Sequence, residues 1–290
     1  MKIDKVIMSC NDNPYYSEFW PLVSKVWKER IGIDPVLVYI GDASNISTEY
    51  GEVVEVEKLE DVPIHTQAQW ARFWYTQFEP ETMWLLSDID MMPLSKQFFT
   101  DSVNDISREI EPMVHFNTNL KYFDDSKVWD IDKELNVPES YGKCLPTCYS
   151  AGSGKLRKEI LNLVPSFKES IENLKWKEND YDHEIDGDAV SHWYAEEAYQ
   201  EKKLLEWIDK NPDRFFAISR PGGWCGNRLD RGHNHIPSLD HILAIINFNE
   251  LVVEFHMPRP WEKYGKNIED IVHVCFQASP DIVVNNIQSD

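Results

Sequence analysis

Asp88 and Asp90, two carboxylates one residue apart, follow directly on the apolar run Thr82-Met83-Trp84-Leu85-Leu86 and Ser87. Such a run reads as a buried strand, so the pair stands where a strand opens into a loop at the rim of a core. Close carboxylates at a rim repel one another unless a cation neutralises them. Hard oxygen ligands suit Mg²⁺ or Mn²⁺, and either ion can bridge the phosphates of a nucleotide. The alternative for an Asp-x-Asp is a solvated turn. A second acidic pair, Glu196 and Glu197, lies among Trp193, Tyr194 and Tyr199. A carboxylate in aromatic surroundings can have a raised pKa. Its alternative is a solvated helix face.

The elements that must position these groups are legible in part. Val6-Ile7-Met8-Ser9-Cys10 and Val36-Leu37-Val38-Tyr39-Ile40 read as buried strands. Between them, Phe19, Trp20, Leu22, Val23, Val26 and Trp27 recur at helical spacing within Tyr16 to Arg30, and Gly32 is a natural stop. Val53, Val54 and Val56 suggest a third strand. This β-α-β opening implies an α/β fold with a parallel sheet flanked by helices. Ligands of such sheets gather beyond the carboxyl ends of the strands. Ser9, Asn11 and Asp12 after the first strand, and Asp42 after the second, are therefore candidates for contact with a ligand.

Further along, helices are expected from about Gln67 to Gln77, from Gly154 to Leu163 and from Trp193 to Trp207. Leu251 to Phe255 reads as a late strand, and Arg220 to Arg228 as a loop. The acidic residues Asp182, Glu184, Asp186 and Asp188 read as a surface loop. The span from about Asn117 to Cys148 is polar and broken and yields no elements.

The composition sets outer bounds. The chain has 290 residues, 42% of them hydrophobic, with 11 Trp, enough for a sizeable core. Lys and Arg number 29 against 50 Asp and Glu, a net charge of −21. A surface of that sign repels polyphosphate backbones, so no nucleic-acid partner is expected. A small phosphate can still bind through one local cation or a metal. The opening residues do not form a signal peptide, and no apolar stretch is long enough for a transmembrane segment. The 5 scattered cysteines are expected to be reduced thiols, and the expected location is cytoplasmic.

The motifs together resemble the nucleotide-sugar glycosyltransferases of the GT-A fold. Asp88-Ile89-Asp90-Met91-Met92-Pro93-Leu94 is similar to their DxD motif at the end of a buried strand. In glycogenin-like members a basic residue on the preceding helix touches the donor about four helical turns before the first Asp; Arg72 stands there. The family often closes with a His-x(n)-Lys/Arg-Pro-Trp segment whose His is a metal ligand. His256-Met257-Pro258-Arg259-Pro260-Trp261 is similar but shorter, which leaves the role of Arg259 more open than that of His256. The resemblance covers roughly residues 5 to 262.

It implies a single Rossmann-like GT-A domain over residues 1–290 with a mixed, mostly parallel sheet. Residues 1–95 would be the nucleotide-binding half, and 96–290 the acceptor half with the metal-closing segment. It further implies a metal held by Asp88, Asp90 and His256, and a nucleotide-sugar donor met by Ser9, Asn11, Asp12, Asp42, Arg72 and Asp88. Gly152 and Gly154 would let the backbone approach donor and acceptor, with a glycan or glycoprotein as acceptor. Glu196 and Glu197 are similar to the acidic segment that faces the acceptor in the family, where one would be the catalytic general base of an inverting enzyme. UDP is the nucleotide of choice because it is the commonest in the family.

Two alternatives come from other classes: a metal-dependent nucleotidyltransferase or phosphohydrolase using the same carboxylates, and a non-catalytic sugar-binding module. Three decoys fail. Ala151-Gly152-Ser153-Gly154-Lys155 lacks the early Gly and the Ser/Thr of a P-loop. Cys144 and Cys148 have no second ligand pair at zinc spacing. His233-Asn234-His235 is no nuclease motif by itself; with Trp224, Arg228 and Arg231 that segment is a candidate for lining an acceptor cleft.

Overall fold

The computed structural model describes residues 1–116, 147–175, 182–185, 188–191, 195–218, 228–231 and 252–278. Its first half contains β1 (Lys5–Asn11), α1 (Pro14–Ser17), α2 (Trp20–Val26), β2 (Asp34–Ile40), β3 (Glu52–Val56), α3 (Ile64–Tyr75), β4 (Met83–Leu86), β5 (Met91–Pro93), α4 (Lys96–Phe99) and β6 (Met113–Phe116). Then come β7 (Ser150–Ser153), α5 (Gly154–Leu161), α6 (Phe167–Asn173), β8 (Asp182–Ile185), β9 (Asp188–Ser191) and α7 (Ala195–Ile208). The chain ends with β10 (Phe215–Ile218), β11 (Arg228–Asp230), β12 (Glu254–His256) and α8 (Trp261–Ala278).

The leading strands show no polar alternation because the sheet is covered on both faces. Val6, Met8, Leu37, Tyr39 and Leu85 point into one core with Phe19, Trp20, Trp27, Ile268 and Ile271. Ile7, Val36, Val38, Ile40, Trp84 and Leu86 point into the other, with Trp70, Phe73, Leu156, Ile160, Leu204 and Trp207. So α2 and α8 cover one face, and α3, α5 and α7 the other. The period-two split within each apolar run is what a two-sided sheet requires.

The main sheet has seven strands in the order β10-β6-β7-β4-β1-β2-β3. All run parallel except β7, which pairs antiparallel with both β4 and β6. It is therefore mixed and mostly parallel, as expected. From β1 the chain steps outward to β2 and β3. It returns through α3 to β4 on the far side of β1. That reversal opens a crevice beyond Asn11 and Leu86, where α/β sheets bind ligands.

Three expectations change. The apolar spacing from Tyr16 to Arg30 implies one helix. The chain instead forms α1, then α2 with Pro21 in its first turn, then a π-turn at Trp27–Ile31. Proline fits a first turn, where its missing N–H is not needed, better than a helix interior. Gly32 does stop the segment: its φ is 84°, and its N–H donates to Trp27 O at 2.9 Å. The late strand is Glu254–His256 and joins a separate three-stranded sheet, β11-β12-β5, beside the main one. The acidic segment around Asp182 forms the antiparallel pair β8 and β9 rather than a loop. Cys144, Asp186, Trp193, Tyr194, Trp224, Cys225, His233, His235 and Leu251 lie outside the described residues.

Among the described residues Cys10 and Cys275 are buried free thiols. Among the described residues no helix is long and apolar enough to cross a membrane.

Candidate active site

A cleft of about 480 Å³ opens at the carboxyl ends of β1 and β4. Ser9, Asn11, Arg72, Asp88, Asp90, Glu196, Glu197 and His256 all line it. Tyr16, Thr147, Arg231 and Arg259 are also part of its charged and polar wall.

The inner corner is built on α3 and the start of α7. Arg72 is buried, 5% exposed, and donates from Nη1 to the Asp88 carboxylate and to Ser87 O at 3.1 Å. Its Nη2 reaches Thr147 Oγ1 at 3.3 Å, and that hydroxyl donates to Glu197 Oε1 at 3.2 Å. Arg72 is thus a buried hub under the cleft floor. Burial alone would lower the Arg72 pKa, but Asp88 and Glu196 outweigh it and raise it, so the group stays cationic. Glu196 is 4% exposed, and burial together with the Glu197 charge pushes its carboxyl up to about 8, against the pull of Arg72. Burial and Asp88 also raise Glu197, which Thr147 partly offsets.

The outer corner is built by β5, β11 and β12. His256 pairs with Met91 across β12 and β5, and Met257 N donates to Asp90 O at 2.9 Å. This register sets His256 Nε2 3.5 Å from Asp90 Oδ2, although 166 positions separate the two in sequence. Asp90 is 6% exposed, and Arg231 Nη1 donates to the same Oδ2 at 2.7 Å. Burial would raise the Asp90 carboxyl, but Arg231, His256 and Arg259 hold it well below the usual carboxylate range. On its other side, His256 Nδ1 lies 2.7 Å from Arg228 Nη2 and 3.5 Å from Asp230 Oδ1. Burial works against protonation of His256, yet Asp230 and Asp90 raise its pKa above the ordinary value. Arg259 donates to the Tyr16 hydroxyl and lies 4.7 Å from the centre of its ring.

Four candidates do not line the cleft. Asp12 is exposed and accepts from Asn11 Nδ2 at 3.2 Å. Asp42 is exposed and accepts the Ser44 N–H at 2.9 Å, a local turn contact. Gly152 and Gly154 serve packing instead. A Cβ on Gly154 would collide with the backbone carbonyl oxygens of Thr76 and Glu79, and one on Gly152 would stand 2.9 Å from the Met113 methyl. Because β7 runs antiparallel, Gly154 is at the amino end of β4, its N–H on Thr82 O, away from the cleft rim. Tyr16 and Thr147 carried no signal in the sequence, since a lone hydroxyl has no spacing to betray it.

Among the described residues no cluster of three or more His, Cys, Asp or Glu side chains is formed that could hold a metal ion. Asp90 and His256 converge, while the Asp88 carboxylate is turned to Arg72.

No family model matches the chain, and no curated protein matches it. Solved structures similar to it include the apo WbbM bifunctional glycosyltransferase, 12% identical over 96% of this chain and 52% of that one, with a TM-score of 0.44. This chain therefore spans about half the length of that structure's chain. The galactosyltransferase LgtC, in complex with donor and acceptor sugar analogues, is 10% identical over 93% of this chain and 95% of that one, with a TM-score of 0.46. Glucosyl-3-phosphoglycerate synthase from Mycobacterium tuberculosis, in complex with Mg²⁺ and uridine diphosphate, is 11% identical over 96% and 79%, with a TM-score of 0.39. At such identities and scores, the chemistry of this chain has to be read from its own side chains.

Proposed function

We propose that this chain is a metal-dependent glycosyltransferase of the GT-A type. It moves a sugar from a nucleoside-diphosphate sugar, a UDP-sugar by preference, to a hydroxyl of a glycan or glycoprotein acceptor. One observation carries this reading. Arg72, Asp88, Asp90, Glu196, Glu197 and His256 meet in one cleft at the crevice between β1 and β4. In a chain of net charge −21, that cleft is also lined by Arg72, Arg231 and Arg259, the local cations that a diphosphate needs.

The donor set fits a divalent cation. Asp90 and His256 offer an oxygen and a nitrogen to the same space, and Asp88 stands two residues away on the same rim. A mixed oxygen and nitrogen set suits Mn²⁺ better than Mg²⁺. A site with few protein ligands leaves coordination places for phosphate oxygens and water. When bound there, the cation supplies charge neutralisation for the leaving diphosphate.

The chain's own groups do the rest. Ser9 and Asn11, at the end of β1, meet the nucleobase and ribose. Arg72 fixes Asp88 and lends positive charge under the donor. The Glu196–Glu197 pair faces the acceptor and takes the proton of its hydroxyl. In this reading residues 1–95 bring the nucleotide side of the cleft, and residues 96–290 bring the acceptor side and the closing His256.

Two measurements test the reading. UDP or GDP with Mn²⁺ should raise the melting temperature, a shift that a sugar-binding module without a nucleotide site would not show. A panel of nucleotide sugars should then reveal slow hydrolysis of one donor. Absence of both effects rejects the proposal. Release of pyrophosphate or inorganic phosphate, rather than of a free sugar, would favour the phosphoryl-transfer alternative.

A further inference from the structure

The carboxylate best suited to a divalent cation already has a cation of the chain's own. Arg231 Nη1 holds Asp90 Oδ2 at 2.7 Å, on the same oxygen that His256 Nε2 approaches at 3.5 Å. Arg231 also donates to Met257 O at 3.3 Å, so its guanidinium is seated across the rim where β5 and β12 meet. We propose that Arg231 competes with the divalent cation for Asp90, and that a nucleoside diphosphate relieves this competition by giving Arg231 a new anionic partner. The inference rests on the donor-binding reading above and assigns Arg231 the coupling of cation and nucleotide binding.

The physics runs from charge and distance. Metal–oxygen bonds are about 2.2 Å long, so a cation on Asp90 Oδ2 lies within about 5 Å of Arg231 Nη1 if the arginine stays. Like charges that close repel strongly where water is scarce, and Asp90 is nearly fully buried. A cation alone therefore binds weakly or drives Arg231 off. Driving it off breaks a charge-assisted hydrogen bond, which is costly unless the guanidinium finds another anion.

The neighbouring carboxylate offers poor relief. Asp230 is already engaged by Arg228 Nε at 2.9 Å and faces His256 Nδ1 at 3.5 Å. Arg259 rests on the Tyr16 hydroxyl, a neutral partner, and contributes a further positive charge to the same wall. A diphosphate entering this cleft meets two guanidinium groups whose planar forks match phosphate oxygens. Once Arg231 moves to phosphate, Asp90 is released to the cation. Linkage then requires that nucleotide tighten the cation, and cation tighten the nucleotide, by the same factor.

The test is calorimetric titration of Mn²⁺ into the full chain, with and without saturating UDP. It is run on the wild type, Arg231→Gln and Arg231→Lys, with melting curves to verify folding. In the wild type, Mn²⁺ alone should bind weakly, and UDP should tighten it by at least about 10-fold, within the ordinary range of coupling between sites. Arg231→Gln should bind Mn²⁺ alone about 10-fold more tightly than wild type and lose most of the gain from UDP. Arg231→Lys keeps the charge and should keep the coupling. It also answers the question should the Gln variant not fold, since a coupling as small as that expected for Gln would overturn the inference.

Equal affinity of wild type and Arg231→Gln for Mn²⁺ alone would overturn the inference and leave the glycosyltransferase reading standing. Absence of any Mn²⁺ binding to the wild type, with or without UDP, would overturn both.

Discussion

In one corner of the cleft a single cation, Arg72, faces three carboxylates, Asp88, Glu196 and Glu197. In the other a buried carboxylate, Asp90, lies among Arg231, Arg259 and His256. Arg72 and Asp90 are almost equally buried, at 5% and 6% exposure. Burial is therefore not what separates the corners; the balance of neighbouring charge is. Where carboxylates are in excess, one keeps a proton, and Glu196 is pushed up to about 8. Where cations are in excess, Asp90 stays ionised far into acid. One corner is poised to exchange a proton near neutral pH, and the other to present fixed charge. A reaction that deprotonates a hydroxyl and stabilises a departing diphosphate needs both.

The largest effect is expected at the fixed-charge corner. Asp90→Ala leaves Arg231 and His256 without their shared carboxylate, so stability should fall by about 3 kcal/mol. Mn²⁺-dependent UDP binding should vanish in calorimetry while the variant still folds. Nucleotide binding that still responds to Mn²⁺ at wild-type strength would remove Asp90 from the metal site. Arg72→Ala strikes the hub of the other corner. It should cost roughly 2–3 kcal/mol, because Asp88, Ser87 and Thr147 lose a buried donor, and it should weaken UDP binding without abolishing the Mn²⁺ response. Unchanged UDP affinity would make Arg72 a structural tie only.

Next in size is Gly154→Ala, which tests a place outside both corners. The added methyl meets backbone carbonyls that cannot turn aside, so stability should fall by about 2 kcal/mol. UDP affinity of the folded protein should not change. A specific loss of affinity would return Gly154 to the donor site.

Legibility in the sequence follows the range of the interactions. β1, β2 and β4 announce themselves because strands buried on both faces are short continuous apolar runs. Asp88 and Asp90 could be located because they follow directly on one apolar run, whereas Arg72 was marked only by the resemblance of its segment to a glycosyltransferase motif. The three-residue strands β5, β11 and β12 are too short to show a period. Their pairing is what sets His256 beside Asp90, so the sequence offered His256 as a candidate but not its sheet. Arg231 on Asp90 is a contact across 141 positions, which nothing local encodes. Gly152 and Gly154 misled for a physical reason: a glycine that lets a ligand approach and one that lets a helix pack look the same in a sequence.

A pH series tests the proton-holding corner directly. A glutamate with its ordinary pKa of 4.5 is ionised in the unfolded chain at neutral pH, whereas Glu196 in the folded protein keeps its proton up to about 8. Between those values the folded state binds a proton that the unfolded state has lost. Stability then falls as pH rises through this window, by at most about 1.4 kcal/mol per pH unit. His256, whose pKa is also raised, adds a slope of the same sign above its unfolded value, so the wild-type slope alone does not isolate Glu196. The difference between wild type and Glu196→Gln does. The amide has nearly the same shape and no charge, so the variant should lose only the Glu196 share of the slope. Urea midpoints taken across about pH 5 to 8 should converge for the two proteins at the acid end. They should separate in favour of the variant toward the alkaline end. Parallel curves would mean that Glu196 is not where the proton resides. The contrast between a proton-holding and a charge-holding corner would then fail, and the same series on Glu197→Gln would show whether its neighbour carries the proton instead.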